Sequence, residues 1–136
     1  MITLDQLSIK IFADGADLPT MVELAKNPLI RGFTTNPTLM HKAGVRDYRA
    51  FAREAITIAG DRPISLEVFA DDLEGMERQA REIASWGSNV YVKVPVTNTQ
   101  GVSTNDTVTR LSHCGIRVNV TAVTTFAQAR AVATCL

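Results

Sequence analysis

Five short apolar runs, each with a polar residue at or near its carboxyl end and each followed by helical periodicity, recur about every 25 to 30 residues, and this alternation constrains the chain more than any single motif. The strand candidates are Ile9 to Ala13, Gly32 to Asn36, Ile64 to Phe69, Asn89 to Val96 and Arg117 to Val123. Asp17 caps the first helix, with Pro19 in its first turn and Met21, Val22, Leu24 and Ala25 turned inward. A turn of helix from Thr38 to Lys42 precedes one from about Asp47 to Ala59, whose apolar stripe is Phe51, Ala52, Ala55, Ile56 and Ala59. Asp71 or Asp72 opens a helix towards Trp86 with Leu73, Met76, Ala80, Ile83 and Ala84 as its stripe. Further helices run around Asn105 to His113 and from about Phe126 to Leu136. Strands and helices in this order make parallel strands with right-handed crossovers.

The fourth strand holds the chemically notable residue. Val90, Val92, Val94 and Val96 share one parity, and Tyr91, Lys93 and Pro95 share the other. A lysine in such a strand reaches water along its stem, pairs its charge, or is desolvated into a nucleophilic amine. Taken alone, the strand favours the first. The other strands change the weighting: Asp14, Asn36, Glu67, and Asn119 with Thr121 occupy matching places. Each has an ordinary reading, Asp14 beside a helix cap, Asn36 as a turn former before proline, Glu67 as a partner for Lys93, Thr121 as a strand former. Parallel sheets covered on both faces should read as continuous apolar runs. These strands instead show one aliphatic face and one with a polar residue towards the carboxyl end, where parallel α/β folds bind ligands. A barrel of TIM type, its mouth collecting these groups, is the simplest architecture.

Balanced charge, with 14 Lys+Arg against 14 Asp+Glu, argues against nucleic acid as a partner. No apolar run approaches the ~20 residues of a membrane span. Asp5, Gln6 and Lys10 interrupt any signal-peptide pattern, so the cytoplasm is the expected compartment. Cys114 and Cys135 have neither metal-ligand spacing nor a CxxC pair and read as free thiols. Cys114 has no cationic neighbour in sequence except His113, and neither histidine, His41 or His113, falls on a strand end, so histidine-activated nucleophiles are disfavoured. No glycine-rich dinucleotide or P-loop motif occurs.

Four segments carry a resemblance: Ile11-Phe12-Ala13-Asp14, Gly32-Phe33-Thr34-Thr35-Asn36-Pro37-Thr38-Leu39, Val90-Tyr91-Val92-Lys93-Val94-Pro95-Val96-Thr97 and Val118-Asn119-Val120-Thr121-Ala122-Val123. In this order they resemble the transaldolase family, including its short members and the fructose-6-phosphate aldolases. The resemblance implies that Lys93 forms a Schiff base with a ketose phosphate and that Asp14 is the acid/base group. Thr35, Asn36 and Asn119 would bind the substrate, and Glu67 with Thr121 would position a catalytic water. Aldolase-type relatives tend to carry glutamine at the position of Glu67, which leans the reading towards transfer of a dihydroxyacetone unit between sugar phosphates, as in the pentose phosphate pathway. Plain aldol cleavage is the alternative. Neither a cofactor nor a metal is implied.

A complete barrel of this type needs eight strand-helix units and typically about 250 residues. Only about five are legible here, so residues 1–136 are expected to form a partial barrel domain. The family's phosphate-gripping residues have no match in the chain. Uncovered sheet edges and apolar surface invite association. The expectation is therefore a truncated member, or a partial barrel completed as a homo-oligomer, with an inactive assembly module as the non-enzymatic alternative.

Overall fold

The computed structural model describes Gln6 and residues 8–136, and Asp5 lies outside the described residues. The chain divides into two compact units, Met1–Ile64 and Ser65–Leu136. Within each, strands that follow one another in sequence are neighbours in a sheet.

In the first unit, β1 (Ile11–Asp14) pairs in parallel with β2 (Ile30–Thr34), Phe12 opposite Gly32 and Asp14 opposite Thr34. The helix between them, α1 (Leu18–Ala25), begins as expected: the Asp17 carboxylate accepts the Thr20 amide at 2.9 Å, and Pro19 lies in the first turn. Met21 is buried, whereas Val22 is 42% exposed. The inward placement of Val22 is thus corrected; one residue further is a rotation of about 100° around the helix, off the face that buries Met21. Ile9 is likewise exposed, and the strand begins only at Ile11.

The second strand ends at Thr34 and not at Asn36. Asn36 leaves the ladder to cap α2 (Pro37–Lys42), accepting the Leu39 amide at 2.9 Å, with Pro37 opening the helix. A second capping aspartate, Asp47, starts α3 (Tyr48–Ala59), which buries Phe51, Ala52, Ala55 and Ala59. Arg62 then fastens the far ends of these elements. Its guanidinium donates to the carbonyls of Ala25 and Ala59, each at 3.1 Å, and lies 5.1 Å from the Phe33 ring centroid.

The strand β3 (Ile64–Glu67) starts in the first unit and finishes in the second, which continues with α4 (Leu73–Ala84), β4 (Val90–Pro95), α5 (Asn105–His113), β5 (Val118–Thr121) and α6 (Phe126–Ala133). The four valines of the lysine strand are all buried, none above 4% exposure, as their shared parity requires. Met76, Ala80 and Ile83 of α4 and Val108 and Leu111 of α5 are buried with them. Val92, Lys93 and Pro95 stand opposite Val118, Asn119 and Thr121 in parallel register.

Two strands here are shorter than their sequence patterns, for different reasons. Beyond Glu67, the amides of Phe69 and Ala70 both donate to Gln79 Oε1 on α4, at 2.7 and 2.8 Å, so a side chain replaces the ladder. Beyond Thr121, Ala122 has φ 59°, a left-handed conformation that no strand continues through. The last helix stops at Ala133, short of Leu136. Both cysteines are free, Cys114 exposed and Cys135 buried. Cys114 does have a cationic partner, Arg81, supplied from α4 and therefore invisible to neighbours in sequence.

Gly32 is constrained by packing. A Cβ there would lie 2.7 Å from the Pro63 carbonyl oxygen and against the Phe12 ring. Gly32→Ala should destabilise the protein by about 1–3 kcal/mol in urea unfolding, since backbone cannot yield as a side chain can. Glu77 supports a second prediction. It accepts from Arg81 at 2.7 Å and Arg110 at 2.8 Å, and these guanidinium bonds hold its carboxyl below the ordinary 4.5. A lowered folded value means the contribution is complete above that pH and vanishes as the pH falls through the folded value. Both arginines are half exposed, so Glu77→Gln should cost at most about 1 kcal/mol at pH 7, and the variant and parent should converge as the pH falls through the folded value.

Candidate active site

Lys93 is largely withdrawn from solvent. Its side chain is 11% exposed, and Nζ lies 3.1 Å from Glu67 Oε2, whose side chain is 17% exposed. Of the three ways to accommodate a lysine in this strand, pairing is the one realised. The geometry follows from the strands: the Val68 amide donates to the Lys93 carbonyl at 3.1 Å, which sets the ends of β3 and β4 side by side with both polar side chains opposite the valine face. The charges are thus held where water is scarce, and such pairs depend on good geometry to offset desolvation.

On the other flank of Lys93, Asn119 stands directly opposite in register, and its Nδ2 donates to Ser65 Oγ at 3.1 Å. Ser65 is on β3 and Asn119 on β5, with β4 between them. Adjacent strands lie about 4.8 Å apart, so in a flat sheet these backbones would be nearly 10 Å apart. Side chains this short meet only if the sheet curls towards the face carrying Lys93. Ser65 shares the parity of Glu67 and so lies on this face, and its contact with Asn119 needs the curl. Thr121, half-buried, faces Pro95 in register and accepts the Val96 amide through its carbonyl at 2.9 Å.

Glu67, Lys93 and Asn119 are therefore gathered within the second unit, together with Ser65. The first unit holds Asp14, Thr35 and Asn36. Asp14, exposed at the end of β1, accepts the Thr34 hydroxyl at 2.7 Å and borders a cavity of about 340 Å³ that Met21, Phe33 and Lys42 also line. Thr35 is fully buried, and the Asn36 carbonyl oxygen is engaged in capping α2. The ordinary reading of Glu67 as a partner for Lys93 thus holds in the structure alongside any chemical role, whereas Asn36 serves as a helix cap in place of the turn former expected. Among the described residues no group of three or more His, Cys, Asp or Glu is placed to hold a metal ion, and no helix is long and apolar enough to cross a membrane.

An amine with a carboxylate 3.1 Å away can condense with a carbonyl while the carboxylate exchanges protons with the amine or with water. Comparison with known proteins places the chain in a family. The family model for transaldolase/fructose-6-phosphate aldolase matches residues 11–135, and the chain belongs to that family. Its fold is accordingly part of a (β/α) barrel of TIM type. It is 42% identical over 113 residues to a probable transaldolase of Roseiflexus sp., covering 83% of this chain and 50% of the relative. With a probable transaldolase of Dehalococcoides mccartyi it shares 36% identity over 113 residues, 83% of this chain and 50% of the relative. With that of Methanococcus maripaludis it shares 40% over 121 residues, 89% of this chain and 54% of the relative. The chain spans about half the length of the curated relatives it matches.

Removing one member of the pair should cost more than removing both charges. Lys93→Met is expected to destabilise by about 3 kcal/mol by removing the cation beside the largely withdrawn Glu67 carboxylate, and Lys93→Met with Glu67→Gln to recover at least about 1 kcal/mol of that in urea titration. Equal losses in the two variants would mean that the carboxylate is compensated by something other than Lys93.

Proposed function

We propose that the chain carries the Schiff-base machinery of a transaldolase, moving a dihydroxyacetone unit from a ketose phosphate to an aldose phosphate. The observation that carries this is a buried strand lysine paired with a carboxylate at 3.1 Å in a chain of this family. The Lys93 amine adds to the ketose carbonyl and loses water, giving an iminium. A carboxylate, assigned by family resemblance to Asp14, takes the proton of the hydroxyl beyond the bond to be broken. That carbon-carbon bond then breaks, an aldose leaves, and its bonding pair is held by the iminium as an enamine. The enamine carbon adds to the aldehyde of a second sugar, the proton returns, and water releases the ketose from Lys93.

Thr35, Asn36 and Asn119 are assigned to holding the three-carbon unit, and Glu67 with Thr121 to placing the water that forms and hydrolyses the iminium. Glutamate at position 67 favours transfer over release of free dihydroxyacetone. Residues 1–136 are read as one partial barrel domain acting in the cytoplasm on the pentose phosphate pathway, as a homo-oligomer and without a cofactor.

The alternative reading is a non-catalytic module for assembly. Borohydride reduction in the presence of fructose 6-phosphate separates the two: peptide mass mapping should find a reduced sugar-derived adduct on Lys93. An unmodified Lys93 in folded protein would decide for the module. In the same assay series, Glu67→Gln should shift products towards free dihydroxyacetone, and an unchanged ratio would remove Glu67 as the residue that separates transfer from cleavage.

A further inference from the structure

Beyond their last ladder bonds, the segments that follow Glu67 and Lys93 are joined a second time. Asp71 Oδ1 accepts the Thr99 amide at 2.8 Å, and Asp71 Oδ2 accepts the Thr99 hydroxyl at 2.6 Å. Starting α4 does not account for this arrangement, because Asp72 caps that helix by accepting the Gly75 amide at 2.7 Å. Thr99 does not need Asp71 to shape its own loop either. Thr97 and Ser103 pair as an antiparallel bridge, the Asn98 amide donates to the Val102 carbonyl at 3.0 Å, and Asn98 Oδ1 accepts the amides of Gln100 and Val102 at 3.1 and 2.8 Å. Gly101, at φ 78°, supplies the left-handed residue of the turn.

The hairpin is thus a preformed unit, and Thr104 fixes its base: the amide donates to the Val96 carbonyl at 3.1 Å and the hydroxyl to the Pro95 carbonyl at 2.6 Å. What Asp71 adds is the position of that unit relative to the end of β3. On the β3 side, Gln79 already holds the Phe69 and Ala70 amides. A closed ring results, running from Glu67 through Asp71 and Thr99 back to Lys93 and across the ion pair. The two hydrogen bonds also hold the Asp71 carboxyl below its ordinary value, which keeps it an acceptor at both oxygens near neutrality.

We infer that Asp71, acting through Thr99, is a positioning residue for the Glu67–Lys93 pair, preventing the ends of β3 and β4 from splaying while Lys93 is covalently occupied. The inference rests on the Schiff-base reading above. Both residues are exposed, so the link contributes little to global stability and its expected effect is on geometry. Misplacement by about 1 Å can cost on the order of a hundredfold in rate, and looser strand ends should cost part of that.

The experiment measures single-turnover modification of Lys93 by fructose 6-phosphate and cyanoborohydride in the full chain, with urea midpoints confirming that each sample is folded. Thr99→Val and Asp71→Asn should lower the limiting rate about tenfold with little change in the half-saturating sugar concentration, and Thr99→Ser, which keeps the hydroxyl, should restore it. Limiting rates within about twofold of the parent, or a Thr99→Ser variant no faster than Thr99→Val, would overturn the assignment. If the parent protein takes no adduct, the Schiff-base reading itself fails. Positioning is then read from acetic anhydride labelling of Lys93 relative to the exposed Lys26: a ratio raised at least about threefold in Thr99→Val supports it, and an unchanged ratio overturns it.

Discussion

A single buried ion pair organises the second half of the chain. Lys93 and Glu67 sit on neighbouring strands with little exposure, and the carboxylate 3.1 Å away helps to offset the cost of an ammonium in that position. This sets demands on the backbone. The strands must be parallel and in register, the face behind them must be packed without gaps, and the residues after each strand end must be tied down so that the pair does not drift. Four buried valines meet the second demand, and Gln79, Thr104 and the Asp71–Thr99 link meet the third.

Much of this could be read from residue order alone, and the reason is periodicity. Strand parity identified both faces of β4, and the rule that side chains alternate carried over directly into burial of Val90 to Val96. Helix starts were equally legible, because Asp17, Asp47 and Asp72 all cap through the local three-residue geometry that makes aspartate favoured there. Local rules see local partners.

Where the reading was incomplete, the outcome turned on a helix rotation, a local backbone angle or a residue distant in sequence. Val22 looked like core by composition, but its angle on α1 turned it outward. Strand ends were placed too late at Phe69 and Val123, the first because Gln79 takes over the amides and the second because Ala122 adopts a positive φ that alanine gives no warning of. The contact of Ser65 with Asn119 depends on curl across a strand between them, which residue order does not show. Arg81 beside Cys114 is of the same kind.

The Gln79 carbonyl has a bearing on how such proteins diverge. By satisfying two successive amides just past Glu67, it fixes the strand exit from a helix, independently of which side chain stands at position 67. Backbone placement and reactive group are therefore under separate control. A lineage can exchange the acid at position 67 for an amide without renegotiating the path of the main chain. A new side chain at a strand end then needs one codon, and the architecture around it can stay as it was.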